Sequence, residues 1–181
     1  LGHFPCKLLI ATSNWLKMNH SATANEIIEV TQEELSRASL QKTPQEVLAV
    51  FVQPSYDLNP EVIKSSLCLA LDDVQDPGNL GTIIRLADWF GIEHIFCSTG
   101  TADVYNPKTV QATMGALARV KVHYCSLPQL IESLTDIPVY GTFLNGNIIY
   151  AESLSAHGLI VMGNEGKGVS PEVERLINKK L

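Results

Sequence analysis

The sequence predicts an α/β protein whose mostly parallel sheet carries helices on both faces. Short apolar runs alternate with helical patterns along the chain, which is typical of parallel sheets. The runs that begin at Leu67 and Leu159 are almost continuously apolar, which predicts strands buried on both faces. A glycine-containing turn follows each of these two runs and leads into a helical pattern. Such turns at the carboxyl ends of parallel strands are common ligand sites.

Composition narrows the class of protein. A chain of 181 residues with 45% hydrophobic residues suits one α/β domain with a small additional piece. The net charge of −6 argues against a nonspecific nucleic-acid coat but allows an RNA enzyme with a few local cations. No apolar run approaches the roughly 20 residues that span a bilayer, so we expect no membrane partner. The four scattered cysteines predict free thiols in the cytoplasm and no metal site.

Residues 1–53 are predicted to form a small, partial α/β unit. The first residue is Leu1 rather than Met, so we expect the chain to be cut at its start. Ser13 is expected to cap a short helix, and Thr31 and Glu34 predict a capping box at the start of another. The pattern predicts strands over residues 7–12, 27–30 and 47–52. Residues 54–66, which contain Pro54 and Pro60, are predicted to be a linker.

From Leu67 onward strand patterns alternate with helix patterns, except that a loop alone follows the strand at residues 139–142. Helices are predicted over residues 81–90 and 109–117, after Ser126, and from Pro171 with Ser170 as the cap. The strands are predicted over residues 67–74, 94–97, 120–124, 139–142 and 159–162. Gly91 is expected to end the first of these helices. Trp15 and Trp89 are predicted to be packing residues.

The glycine-rich turn after the last strand matches neither common nucleotide-binding motif. A phosphate loop has a lysine directly after its second glycine, and here Val169 follows Gly168, while Lys167 precedes it. The dinucleotide pattern G-x-G-x-x-G fails because the order here is G-x-x-G-x-G. The remaining interpretations are another kind of ligand loop or a plain strand-to-helix turn.

Two turns together carry a more specific pattern. Residues 72–85 read D-x-x-x-x-P-G-N-x-G-x-x-x-R, and the later turn at Gly163 reads G-x-E-G-x-G. This pair of motifs resembles the SpoU family of S-adenosylmethionine-dependent RNA 2′-O-ribose methyltransferases, within the SPOUT superfamily of knotted α/β proteins. Residues 67–181 resemble its catalytic domain, and residues 1–53 resemble the later part of an L30e-like substrate RNA-binding domain. The family's third motif, S-L-N, does not occur before Leu181, so we expect the C-terminal end of the domain and its trefoil knot to be incomplete.

The resemblance implies roles for residues of both motifs. It implies that Arg85 is catalytic, that Asn79 holds its surroundings and that Glu165 is a site residue. Because arginine stays protonated in proteins, we expect Arg85 to hold the target phosphate or the developing alkoxide. The proton acceptor stays open. The residues implied to bind the cofactor are Thr142, Phe143, Leu144, Met162, Gly163 and Asn164.

The resemblance also implies partners. We expect S-adenosylmethionine as the cofactor, ribosomal or transfer RNA as the substrate, no metal, and a homodimer. Two alternatives stay open from the sequence. One is an RNA-binding module without catalysis, and the other is a small-molecule enzyme of flavodoxin-like fold.

Overall fold

A computed structural model describes residues 4–181, so the first three residues of the predicted N-terminal unit lie outside the described chain. The chain divides into two compact units, Leu1–Ser55 and Tyr56–Leu181. None of the helices in residues 4–181 combines the length and apolarity that a bilayer crossing requires.

The N-terminal unit is a three-stranded sheet with two short helices. Its central strand pairs in parallel with one neighbour and antiparallel with the other, in the order β2-β1-β3. The elements are β1 (Cys6–Ala11), α1 (Ser13–Met18), β2 (Glu26–Glu29), α2 (Gln32–Ala38) and β3 (Val47–Phe51).

Both helices of this unit begin at a threonine cap. Thr12 caps α1 by accepting a hydrogen bond from the N–H of Trp15, so the prediction of Ser13 as the cap is wrong by one residue. The capping box at α2 is confirmed: the N–H of Thr31 donates to Glu34 at 2.8 Å, and the N–H of Glu34 donates back at 3.3 Å. Side-chain oxygens thus satisfy N–H groups that the helices leave without an internal partner.

The C-terminal unit is a six-stranded sheet in the order β6-β5-β4-β8-β7-β9, with helices between its strands. All its strand pairs are parallel, which confirms the predicted mostly parallel sheet. The strands are β4 (Leu67–Leu71), β5 (His94–Cys97), β6 (Lys121–Tyr124), β7 (Val139–Gly141), β8 (Gly158–Met162) and β9 (Lys179–Lys180). The helices are α3 (Val62–Ser65), α4 (Pro77–Trp89), α5 (Pro107–Thr113), α6 (Leu127–Glu132) and α7 (Pro171–Glu174), with 3-10 turns at Ala116–Ala118 and Ile149–Ala151.

The central strands β4 and β8 bury side chains on both faces of the sheet. On one face, Cys68 and Ala70 join a core cluster that includes residues of α3, α6 and α7. On the other face, Leu69 and Leu71 pack with Leu80 and other residues of α4. This two-sided burial explains the continuous apolar runs in the sequence, because other residues cover most of both faces of these strands.

The longest helix, α4, begins four residues earlier than predicted. Asp76 caps it by accepting from the N–H of Asn79 at 2.8 Å, and Pro77 occupies its first turn. Gly91 follows its C-terminus with a φ of 72°, as predicted. The predicted packing role of Trp89 is wrong within the described chain, because the residue is 83% exposed.

Two of the elements, β4 and α5, end sooner than the sequence predicts, because residues with a left-handed backbone conformation follow them. Asp73, with a φ of 61°, follows β4, so the strand stops at Leu71 rather than at residue 74. Met114 and Gly115, with φ values of 51° and 88°, end α5 at Thr113 rather than at residue 117. Within residues 54–66, predicted to be a linker, the structure places α3, whose Ile63 is fully buried. The knot and the L30e-like character of the first unit stay predictions.

A pair of histidines lies on neighbouring strands of the C-terminal unit. His94 Nδ1 and His123 Nε2 are 3.1 Å apart, and the ring of His123 stacks on that of Phe96. Burial lowers the pKa of both histidines, and the positive charge of Lys121 lowers both further; the pKa of His123 falls to about 4. Both rings are therefore neutral in the folded protein near pH 7.

We expect the C-terminal unit to lose stability as the pH falls from about 6.5 toward 4. In this range the unfolded chain, with an ordinary histidine pKa, binds protons that the folded protein does not bind. The free energy of unfolding should fall by about 1–2 kcal/mol between pH 7 and pH 5. Urea unfolding at both pH values measures the change. In His123→Gln most of this pH dependence should disappear; an unchanged slope would contradict the assignment to this pair.

Candidate functional site

Two loops lie side by side at the carboxyl edge of the parallel sheet. Strands β4 and β8 are neighbours, and their last residues, Leu71 and Met162, are partners in register. The N–H of Asp72 continues this pairing by donating to the carbonyl of Met162 at 2.8 Å. The loop that begins at Asp72 therefore starts next to the loop that begins at Gly163. We call them the first loop (residues 72–79) and the second loop (residues 163–170).

Three hydrogen bonds join the two loops. Asn79 Nδ2 donates to Glu165 Oε1 at 2.8 Å. Asn164 Nδ2 donates to the carbonyl oxygen of Asp73 at 2.8 Å. The N–H of Ser170 donates to Asp72 Oδ2 at 2.7 Å, and this carboxylate is buried. These three bonds form a polar network between the two loops, which are far apart in the sequence.

The second loop closes on itself at its glycines. The backbones of Asn164 and Gly168 exchange two hydrogen bonds, of 2.9 and 2.8 Å. Gly168 has a φ of 71°, which residues with a side chain rarely adopt. A Cβ on Gly163 would lie 2.2 Å from the carbonyl carbon of Gly168, so only glycine fits where the two ends of the loop meet.

A cleft of about 610 Å³ lies between the second loop and the segment that follows β7. Six predicted site residues line this cleft: Thr142, Phe143, Leu144, Gly163, Asn164 and Glu165. The segment after β7 is itself held in place: Thr142 donates from its N–H to the carbonyl of Val161, and Phe143 donates to that of Leu181 at 2.8 Å. The cleft combines apolar walls with charged groups, because Glu174 and Lys167 also line it.

Three predicted site residues do not line this cleft: Asn79 bonds to Glu165 from the first loop, and Met162 and Arg85 lie elsewhere. Met162 lines a different, mostly apolar cleft of about 690 Å³, whose walls include Leu86 and Phe90. Its side chain points to that face of the sheet because residues alternate along β8. Arg85 is exposed on α4, six residues after Asn79, and is not among the residues that line the 610 Å³ cleft.

Three of the residues that hold the two loops together, Asp72, Asp73 and Ser170, were given no site role from the sequence. Asp72 and Asp73 come directly after the buried strand β4, and this position at the sheet edge is the signal that could have identified them. Lys167 was also missed as a neighbour of the first loop, with its Nζ 4.0 Å from Asp73 Oδ2. Within residues 4–181, no three potential metal-binding side chains come together.

A further cation, Lys108, lies beside the start of α4, near the network. Lys108, in the first turn of α5, places its Nζ 3.1 Å from Asp76 Oδ2. The pKa of the Asp76 carboxyl is lowered, first by the hydrogen bond from the N–H of Asn79 and then by the bond from Lys108. Asp76 thus stays ionised and caps the helix that carries Asn79 and Arg85.

Gly163→Ala should destabilise the second loop, whereas Gly166→Ala is its matched control. The added Cβ at residue 163 would overlap backbone atoms of Gly168 and Val169 at 2.2–2.4 Å. At residue 166 the nearest atom is Asn164 Oδ1 at 3.6 Å, an ordinary contact. We expect a loss of about 1–3 kcal/mol in the free energy of unfolding for Gly163→Ala and under about 0.5 kcal/mol for the control. Equal losses in denaturant titrations would contradict the described loop geometry.

These features define the class of protein: a parallel α/β protein with a ligand cleft and a polar network at the carboxyl ends of neighbouring strands. The family model of the SpoU rRNA Methylase family matches residues 66–181. The chain therefore belongs to the SpoU rRNA methylase family, which confirms the resemblance seen in the two sequence motifs.

Individual relatives agree with this family. The chain is 34% identical over 143 residues to the 23S rRNA (guanosine(2553)-2′-O)-methyltransferase of Bacillus subtilis. That match covers 77% of this chain and 56% of the relative, so the chain spans about half of the relative's length.

Solved structures show the same fold. A TrmH-family structure from Porphyromonas gingivalis superposes with a TM-score of 0.86 at 40% identity, over 99% of this chain and 73% of that chain. The SpoU methyltransferase AviRb of Streptomyces viridochromogenes, in complex with AdoMet, gives a TM-score of 0.82 at 26% identity, over 98% of this chain and 73% of that chain.

Proposed function

We propose that the protein transfers a methyl group from S-adenosylmethionine to a ribose 2′-OH of structured RNA, with ribosomal RNA favoured by its relatives. The observation that carries this proposal is the hydrogen bond between Asn79 and Glu165 beside the cleft. It brings together the two motifs that characterise this family of methyltransferases. The Bacillus relative, by its name, performs 2′-O-methylation of 23S rRNA.

The 610 Å³ cleft fits the methyl donor in size and in chemistry. Small-molecule sites commonly have volumes of about 300–1,000 Å³ and combine apolar walls with a few polar groups. Phe143 and Leu144 offer apolar surface to an adenine base, and the segment's backbone lies beside them. Glu165 offers negative charge to a cationic donor, whereas the carboxylate of Glu174 is paired with Lys180. When bound, S-adenosylmethionine supplies an electrophilic methyl group on a sulfonium.

The residues of the two loops are proposed to position the acceptor ribose. A 2′-OH is a poor nucleophile, and an in-line displacement gains much of its rate from correct orientation. Arg85 stays protonated, so we assign it the task of holding the target phosphate or the developing alkoxide. Asn79 fixes the carboxylate of Glu165 by donating to it at 2.8 Å. Met162 ends β8, and we assign its backbone, rather than its side chain, to the surroundings of the donor.

Arg85→Ala in the intact protein should abolish methyl transfer to RNA while donor binding survives. Calorimetry with S-adenosylmethionine and incorporation of a labelled methyl group into RNA measure the two properties separately. Arg85→Lys should also fail if bidentate geometry is required. Lys64→Ala, which removes an exposed cation on α3, is the control and should keep normal transfer. Normal turnover by Arg85→Ala would contradict its role, and absence of donor binding in the wild type would favour a non-catalytic RNA-binding module.

Two further proposals concern residues 1–53 and the C-terminal end of the chain. We propose that residues 1–53 help to select the RNA, in line with their resemblance to L30e-like domains, and that the protein acts in the cytoplasm, where its four free cysteines stay reduced. We also propose that β9 begins the segment that forms the family's knot. This proposal is supported by the loop after β7, which approaches Leu181 so closely that a Cβ on Gly146 would lie 2.0 Å from the Leu181 oxygen.

We propose that the protein forms a homodimer through α4. Three large apolar side chains are exposed on this helix and its C-cap: Leu86 (51%), Trp89 (83%) and, at the cap, Phe90 (72%). They continue into the apolar cleft, which Leu86 and Phe90 line. Contiguous apolar surface of this kind is typical of protein interfaces.

Trp89→Asp should convert the dimer to a monomer, because it would bury a charge in an apolar interface. Sedimentation velocity of the intact protein measures the change. Leu40→Asp is the matched control, since Leu40 is 99% exposed in the N-terminal unit and its substitution should leave the dimer intact. A wild-type monomer, or a Trp89→Asp dimer of unchanged stability, would contradict the proposed interface.

A further inference from the structure

The side chain of Asn164 makes three hydrogen bonds within the protein. Its Oδ1 accepts hydrogen bonds from the N–H groups of Gly166 at 2.9 Å and Lys167 at 3.0 Å. Its Nδ2 donates to the carbonyl oxygen of Asp73 at 2.8 Å. One amide therefore shapes the second loop with its oxygen and ties that loop to the first with its nitrogen.

Asp73, which accepts the hydrogen bond from Asn164 Nδ2, has a sparsely populated backbone conformation. Asp73 has a φ of 61°, which is uncommon for a residue with a side chain and is maintained only when the surroundings impose it. Ser98 Oγ accepts from the N–H of Asp73 at 2.9 Å, and Asn164 Nδ2 binds its carbonyl. Gly100 provides the necessary space, because a Cβ there would lie 2.4 Å from Asp73 Oδ1.

We propose that the bond from Asn164 to Asp73 is a latch that positions Glu165 for the reaction. Asn164 is thus a positioning residue, and its side chain acts on the donor and the RNA only through the neighbouring carboxylate. This inference rests on the proposed function, in which Glu165 lies beside the reacting groups. Asn164 immediately precedes Glu165, so the latch fixes the backbone from which the carboxylate reaches Asn79.

Asn164→Asp separates the latch from the internal shape of the loop. A carboxylate at this position still accepts from the N–H groups of Gly166 and Lys167. It no longer donates to Asp73, and it instead faces a carbonyl oxygen with another oxygen. Gln129→Glu, on the exposed surface of α6, makes the same change from amide to carboxylate and is the matched control.

We expect Asn164→Asp to lower kcat for methyl transfer by about 10- to 100-fold, the size of effect that a misplacement of about 1 Å produces at a reaction centre. The KM values for S-adenosylmethionine and RNA and the midpoint of thermal unfolding should stay close to those of Gln129→Glu. An unchanged kcat would overturn the latch. Equal changes in kcat, KM and thermal stability would also overturn it, because they would show a merely structural role.

A double-mutant cycle tests whether the latch acts through Glu165. If it does, Asn164→Asp should have little further effect on kcat in a Glu165→Gln background, because the positioned carboxylate is already lost. Additive losses would overturn the proposal, and so would full activity of Glu165→Gln alone.

Hydrogen exchange at Gly168 needs no catalytic activity, so it tests the latch independently of the proposed function. The N–H of Gly168 donates to the carbonyl of Asn164, so its hydrogen exchange reports opening of the second loop. Exchange at Gly168 should accelerate about tenfold in Asn164→Asp and stay unchanged in Gln129→Glu. If the wild type transfers no methyl group, the proposed function fails, and this exchange rate alone decides whether the latch exists. Unchanged exchange would overturn it.

Discussion

The geometry of the whole site follows from two neighbouring parallel strands that end at the same level. Leu71 and Met162 are partners in register, and the N–H of Asp72 still binds the carbonyl of Met162. Everything that follows each strand must then leave the sheet at the same edge. Motifs separated by about two thirds of the C-terminal unit in sequence thereby become neighbours, and Asn79 reaches Glu165 over 86 positions of the chain.

The contacts between the two loops are few and directional. Each of the three hydrogen bonds stabilises the arrangement by about 1 kcal/mol, or somewhat more where a carboxylate accepts. This is enough to select one loop geometry but small beside the free energy of unfolding of a domain. The cores on the two faces of the sheet hold the strands, while the polar network sets the position of the loops. Stability and site geometry are thus determined by different residues.

The sequence predicted the sheet well because burial on both faces leaves a direct mark in composition. The continuous apolar runs at Leu67 and Leu159 identified the two central strands, and both motifs were found directly after them. Local backbone conformation was harder to predict. The positive φ of Asp73 depends on contacts with Ser98 and Asn164, which are distant in sequence, so the strand was predicted to be too long.

Tertiary structure sets the surroundings of two side chains that the sequence pattern could not place. Met162 was grouped with Gly163 as a cofactor-binding residue, which stays a prediction; the alternation of residues along β8 directs its side chain to the other cleft. Trp89 was expected in the core because large aromatic residues usually pack there, yet its position on α4 leaves it at the surface. We propose that the packing partner of Trp89 belongs to a second copy of the chain. The sequence pattern of a single chain does not distinguish such a residue from one that packs in the core.

The central claim is that the two loops and the cleft form a site for methylation of a ribose 2′-OH. The most direct test is a map of 2′-O-methylated nucleotides in cellular RNA, from cells with and without this protein. The proposed function predicts that at least one methylated nucleotide disappears when the protein is absent and returns when it is restored. Identical maps in the two kinds of cell would contradict it.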